Sequence, residues 1–288
     1  MAPDPAPAAP SLDELVRLDL PLDGGDAAAC CAALYEHAGV RWLLGGELHP
    51  GGPALTRRAF DLLGLSADDR LLDVASGDGA TVILAAAERG CGATGVDYGE
   101  RLVEEARRRA DARGLGERVE FVRADAGSLP FADGMFEAAI SECALCVLGD
   151  KATAIGEVRR VLCPGGRVAI ADVVADVERL PPALRGRLGA VACVGDALAP
   201  GAHGELLRAT GFEVLAEEDR SQDALAMVDR ITDRLRGAKV LGIGAPTAIE
   251  GGVRAALELA AEARAAIADG RIGYTLVSAA VRRDGERP

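Results

Sequence analysis

The apolar positions of this chain follow three successive regimes. From Asp26 to Leu44 they recur at helical spacing, with Leu34, Ala38 and Trp42 on one face and Asp26 as the candidate cap. The turn His49-Pro50-Gly51-Gly52 then feeds a second helical stretch, with Pro53 at its first position and Phe60 and Leu63 preceding Gly64. Between about residues 70 and 173 short apolar runs alternate with helical segments, and strands are predicted near 70–75, 93–97, 119–123, 136–142 and 167–173. That alternation implies a parallel sheet with helices on both faces. The third regime predicts helices near 181–193 and 203–211, then a strand from Glu213 to Ala216. About fifty helical residues follow, broken near Gly242 to Pro246, and a last strand runs from Ile272 to Val281. Residues 1–10, rich in Pro and Ala, carry no period, and the tail to residue 25 is read as largely disordered.

The first strand, Leu71-Leu72-Asp73-Val74, runs into Ala75-Ser76-Gly77-Asp78-Gly79, and Asp97 ends the next strand twenty residues past Gly77. A glycine turn between strand and helix lets the backbone approach a ligand, and an acid at the second strand's tip can accept from two ribose hydroxyls. A dinucleotide fold carries Gly-x-Gly-x-x-Gly, so that a helix start faces a pyrophosphate. Here Val82 stands where the third glycine belongs, and Asp73 and Asp78 flank the loop. Acids there repel a pyrophosphate and suit a ligand that bears an ammonium and a sulfonium. That chemistry points to S-adenosyl-L-methionine.

The loop resembles motif I of the class I methyltransferases, and later segments agree in order and spacing from about Leu71 to Val174. The resemblance assigns Asp73, Ala75, Gly77 and Gly79 to the cofactor loop, and Asp97 and Tyr98 of Gly95-Val96-Asp97-Tyr98 to the ribose. It assigns Asp125 and Ala126, ahead of Leu129-Pro130-Phe131, to the adenine, and adds Glu142 at the end of strand four. Leu162-Cys163-Pro164-Gly165-Gly166-Arg167 matches the turn before the fifth strand. The implied fold is α/β: a Rossmann-like class I methyltransferase with a seven-stranded sheet whose last strand is antiparallel to the sixth. One domain is expected over 26–288, with a helical lid at 26–64 and a cofactor-binding core at 65–175. Residues 176–288 are expected to supply substrate-side helices, the last two strands and a helical insertion before the last strand.

Charge narrows the partners. A net charge of −13 and a pI near 4.8 argue against a nucleic-acid backbone or an anionic membrane. The longest apolar runs, such as Val82 to Ala87, are too short to span a bilayer. No basic segment followed by an apolar core marks a signal peptide, and seven cysteines in 288 residues make no disulfide framework. A reduced, cytoplasmic protein acting on a small molecule or a metalloid is the expectation.

The cysteines supply the remaining chemistry. Strand four ends at Ser141-Glu142, and Cys143-Ala144-Leu145-Cys146 follows where the substrate of an open α/β sheet belongs. Cys193 lies fifty residues after Cys143, and the pair Cys30-Cys31 sits in the lid. Ser141-Glu142-Cys143 with Asp150-Lys151, and Cys193-x-Gly195-x-Ala197-Leu198, resemble the trivalent arsenic methyltransferases. That resemblance implies Cys143 and Cys193 as arsenic ligands, with a third thiol from Cys31, Cys30 or Cys146. The family's Tyr-Tyr-Gly-Cys segment is not evident, and Leu43-Leu44-Gly45-Gly46 occupies its place without a thiol.

Arsenite prefers thiolates, and thiolate-bound arsenic keeps a lone pair, so no general base is needed to create the nucleophile. A sulfonium about 5 Å away, at an effective dielectric of about 20, favours a thiolate by about 3 kcal/mol. A thiol reductant is the co-reactant this chemistry calls for. Each cysteine also has a packing reading, because thiols are among the most buried groups, and Cys91 and Cys163 are read as core. Cys143-x-x-Cys146 is open to a redox or zinc reading as well. An O-, N- or C-methyltransferase of a small metabolite, with Glu142, His49 or Asp172 as base or orienting group, is the alternative enzyme. A non-catalytic soft-metal-binding protein is the alternative outside catalysis.

Overall fold

Seven short, largely apolar runs pair into one sheet in this computed structural model, which describes residues 35, 36, 38–185, 194–240 and 252–282. The strands are β1 (Arg70–Val74), β2 (Gly92–Asp97), β3 (Val119–Arg123), β4 (Phe136–Glu142), β5 (Leu162–Ala175), β6 (Phe212–Asp219) and β7 (Ile272–Val281). Their order is β3-β2-β1-β4-β5-β7-β6, with β7 antiparallel to both neighbours and the other pairs parallel. This is the expected seven-stranded arrangement. Strand order reverses between β1 and β4, and in such sheets the crevice lies outside the carboxyl ends at that point.

Helices on the two faces bury two apolar layers, one centred on Phe60, Leu71 and Ile140, the other on Leu72, Phe136 and Ile170. Alternate residues of a strand point to opposite faces, so Leu71 and Leu72 enter different layers. The helices of the parallel half are α1 (Ala38–Leu44), α2 (Gly52–Leu63), α3 (Ala80–Glu88), α4 (Glu100–Asp111) and α5 (Lys151–Val161). The later ones are α6 (Pro182–Arg185), α7 (Ala202–Ala209), α8 (Ser221–Val240) and α9 (Gly252–Ala268). No helix of the described residues is long and apolar enough to cross a membrane.

Two strands run longer than their local pattern. β5 begins at Leu162 because Leu162 pairs with Phe136 across a register shift, and β6 continues to Asp219, which pairs with Thr275 of β7. Of the helix expected near 181–193 only Pro182–Arg185 falls among the described residues, as does only the later part of the 26–44 helix. The expected break near Gly242 to Pro246 lies outside them, between α8 and α9. Those two helices pack on each other, and α8 also packs on the lid helix α1. Arg234 of α8 donates to the Trp42 carbonyl, and Arg230 meets Glu47 at 2.7 Å. α8 therefore braces α1 and the residues that follow it, a contact no local pattern announces.

α7 buries His203 at 1 % exposure, with Nδ1 lacking a hydrogen-bond partner. Burial, then the Lys151 charge, lowers its pKa from 6.5 to about 4. The unfolded chain therefore takes up this proton as pH falls through 6.5, whereas the folded chain resists until about 4. Stability is fully present above 6.5 and is expected to fall by roughly 3 kcal/mol on acidification to 4. Urea unfolding of wild type and His203→Gln across that range tests this. An equal loss in both proteins would assign the acid sensitivity to other groups.

Candidate active site

The ends of β1, β2 and β4, the loop after β3 and the turn after β4 line one open cleft. Ala75, Gly77, Asp97, Tyr98, Asp125, Ala126, Glu142 and Cys143 line it, so eight of the residues expected from the sequence meet in one place. Apolar side chains that sequence reasoning did not single out complete it: Tyr35, Leu48, Leu102, Val147 and Leu148 among them. They come from four different segments, so no local pattern marks them as neighbours.

The glycine loop is held by the acid of the next strand. Asp97 accepts from Gly77 N and Gly99 N, each at 2.8 Å. Burial pushes its carboxyl above the usual range, against the opposing pull of those amides. Ala75 sits at φ 62, a left-handed conformation that costs a side-chain-bearing residue about 1–2 kcal/mol. Backbone strain of this kind concentrates where a surrounding site over-determines it.

Asp73 and Gly79 do not line the cleft, contrary to expectation. Asp73 is buried beneath the loop, and burial, then Glu142 and Asp97, raise its pKa well above the carboxylate range. Gly79, at φ 78, brings α3 close to the sheet, where a Cβ would stand 2.6 Å from the Phe121 ring. Asp78 also departs from the expectation of an acid facing the ligand. It is buried and paired with Arg41 at 2.8 Å and Arg109 at 2.5 Å, so its charge is answered within the protein. Arg41 reaches Glu105 as well, and these contacts tie the lid helix to the core.

The loop after β3 folds on itself, Asp125 accepting from Gly127 N at 2.8 Å. Arg160 fixes the following residues by donating to the carbonyls of Phe131 (2.7 Å) and Leu129 (3.0 Å), while Glu157 accepts from Leu129 N. Sequence reasoning did not identify Arg160. An arginine one helical turn after a glutamate was the available signal.

Glu142 is gripped from two helices. Thr81 Oγ1 donates to it at 2.8 Å, Thr56 Oγ1 stands 3.1 Å away, and His49 Nε2 is 3.7 Å from Oε2. His49 Nδ1 lies 3.0 Å from the Pro50 carbonyl, which can only accept, so that nitrogen carries a hydrogen. His49 touches Glu142 but is not among the residues lining the cleft.

Cys143 follows at φ 54, its N–H donating to the Ala171 carbonyl at 2.7 Å. The turn after it is built on Asp172, whose Oδ2 accepts from Ala144 N (3.0 Å) and Cys146 N (3.2 Å). Asp172 is 1 % exposed and braces this turn; it does not line the cleft, against the expectation of a base. Cys146 is buried in the apolar core, yet the Cys143 and Cys146 sulfurs and an Asp172 oxygen lie within 4.8 Å of one another. Cys30, Cys31 and Cys193 lie outside the described residues.

Among the described residues that line the cleft there is no Lys or Arg, and there are three acids, Asp97, Asp125 and Glu142. Such a pocket favours a ligand with positive charge over a phosphorylated one. The donor set fits S-adenosylmethionine: three carboxylates can accept from a ribose and answer positive groups, and no cation among the described lining residues opposes them.

A methyltransferase-domain family matches residues 72–170. The chain is 40% identical over 137 residues to the demethylmenaquinone methyltransferase of Thermus thermophilus, covering 47% of this chain and 58% of that protein. It therefore spans little more than half the length of that relative. To the 27-O-demethylrifamycin SV methyltransferase of Amycolatopsis mediterranei it is 31% identical over 194 residues, covering 64% of this chain and 69% of that protein. The arsenite methyltransferase of Halobacterium salinarum is 34% identical over 175 residues, which is 57% of this chain and 43% of that protein. Among solved structures, the [4+2]-cyclase SpnF superposes with a TM-score of 0.65 at 25% identity, covering 86% of this chain and 97% of that one. A neighbour named for cyclisation shows that this fold alone does not decide the reaction.

Proposed function

We propose that this chain, which belongs to the class I S-adenosylmethionine-dependent methyltransferase family, moves the cofactor's methyl group to trivalent arsenic held by the Cys143 thiolate. The observation that carries this reading is the Cys143 thiol, which lines the cleft directly after the carboxyl end of β4. When bound, S-adenosylmethionine supplies an electrophilic methyl carbon. Arsenic held by Cys143 would keep the lone pair that accepts this methyl group, and a small thiol would return the metalloid to the trivalent state. Cys143 fixes the metalloid, and the backbone strain at φ 54 aims the thiol from a turn rather than from the strand. Asp97, Asp125 and Glu142 orient the cofactor and answer its charge. Cys193 and one of Cys31 or Cys30 are the further thiols of this reading, and a small thiol is its reductant. The similarity to the Halobacterium arsenite methyltransferase supports it.

A second reading is methylation of a hydroxyl on a small metabolite, favoured by the His49–Glu142 contact and by the rifamycin O-demethyl relative. His49 is the base there, with Glu142 as the orienting group.

The test is turnover of purified protein with S-adenosylmethionine, a thiol, and either arsenite, methylarsenite or a panel of phenols and alcohols. Methylated arsenic is expected, with His49→Ala within about fivefold of wild type. Methylated hydroxyl products alone, with His49→Ala slowed by about 10²–10⁴-fold as for loss of general-base catalysis, would replace this proposal by the second reading.

A further inference from the structure

Cys146 and Asp172 are not used by the methyl transfer described above, yet both converge on Cys143. The three side chains come from one turn and one strand: Cys143 follows β4, Cys146 lies in the short helical turn 145–147, and Asp172 lies on β5. One ligand atom from each lies within 4.8 Å of the other two. Around a tetrahedral ion with metal–sulfur bonds of about 2.3 Å, neighbouring sulfurs stand about 3.8 Å apart. Closing that gap takes about 1 Å, within reach of side-chain rotation at Cys143, the more exposed of the pair.

The support is already built. Ala144 N and Cys146 N donate to Asp172 Oδ2, and Val173 N donates to Oδ1 at 2.7 Å. Ligand carboxylates are held by such outer hydrogen bonds at metal centres. Tyr274, fully buried, donates its hydroxyl to the Ala171 carbonyl at 3.1 Å, the same oxygen that receives Cys143 N. Both ends of the turn are thereby pinned to β5. Glu142 adds negative charge nearby. Two thiols and a carboxylate in an anionic setting select a thiophilic divalent cation over a hard one.

We infer that Cys143, Cys146 and Asp172 form a coordination site for a thiophilic divalent cation such as zinc or cadmium, with the cleft side open for a fourth ligand. This goes beyond the arsenic reading and does not depend on it. Where both hold, the cation and the metalloid compete for Cys143, so the cation inhibits arsenic methylation. Two thiol protons are released on binding, and no electron is transferred.

The full chain, reduced with a phosphine and freed of metal, is titrated with Cd²⁺ alone while the sulfur-to-cadmium charge-transfer band is followed. Cys146→Ser is expected to weaken the tightest equivalent by at least about 100-fold, and Asp172→Asn by about 10–100-fold, the usual effect of an altered ligand shell. Cys163→Ser, a thiol outside the cluster, leaves it unchanged. Unchanged affinity in both Cys146→Ser and Asp172→Asn overturns the site. A variant lacking Cys30, Cys31 and Cys193 covers the case in which Cys146→Ser does not fold. In it Zn²⁺ is expected to slow alkylation of Cys143 at least about tenfold, and unprotected Cys143 overturns the proposal. Because no step here uses S-adenosylmethionine, a failure of the arsenic reading leaves this result standing, and the reverse.

Discussion

Changing Cys143 to Ser is expected to lower arsenic methylation by at least about 10³-fold, the scale on which loss of a reacting group is felt. Cofactor affinity should stay within about threefold. Serine keeps the volume and the φ 54 backbone, and its N–H can still donate to Ala171, so the turn survives. What goes is the soft, ionisable sulfur: a hydroxyl is neither a thiolate at neutral pH nor a preferred donor to arsenic. Arsenic species separated by chromatography and detected by mass report the rate, and calorimetric titration reports cofactor binding. A Cys143→Ser protein that keeps more than a tenth of wild-type turnover would leave this thiol with a packing role only. Equal loss of turnover and cofactor affinity would mark a collapsed cleft instead, which is why both are measured.

Gly79→Ala is expected to destabilise the fold by about 3 kcal/mol, combining a left-handed backbone at about 1–2 with overpacking at about 1–3. At φ 78 the new methyl would stand 2.6 Å from Phe121 Cζ, 2.7 Å from Cε1 and 2.8 Å from Ala106 Cβ. All three are buried, on β3 and α4, and cannot move into solvent. Gly90→Ala is the control, because Gly90 has φ 73 but its nearest neighbour lies 3.6 Å away. It carries the backbone cost without the clash. Denaturant unfolding of the two variants separates the terms, and Phe121→Leu should recover part of the Gly79→Ala loss if the clash is real. Equal destabilisation by the two substitutions would remove the packing argument.

Much of the cleft was legible because its determinants are local. A buried strand ending in a glycine turn, and an acid twenty residues on, are read within one βαβ unit, and Ala75, Gly77 and Asp97 do line one cleft. Asp73 and Gly79 belong to the same motif yet face inward. Their neighbours decide that: Gly79 answers to Phe121, forty-two positions away, and Asp73 to Glu142 and Asp97. Asp172 reads as a base by its place at a strand end, but its oxygens accept from amides of the turn after β4.

What the sequence determined by itself was therefore the strands, the helices, the glycine loop and the acid beyond it, because side-chain period and backbone preference act over a few residues. The tertiary structure decided which charges face the ligand. Asp78 is silenced by Arg41 from the lid and Arg109 from α4, and Glu142 is seated by Thr56 and Thr81 from two helices. Such pairings depend on where distant segments meet after the sheet has formed. A carboxylate's role follows from what neutralises it, and that partner is chosen by packing.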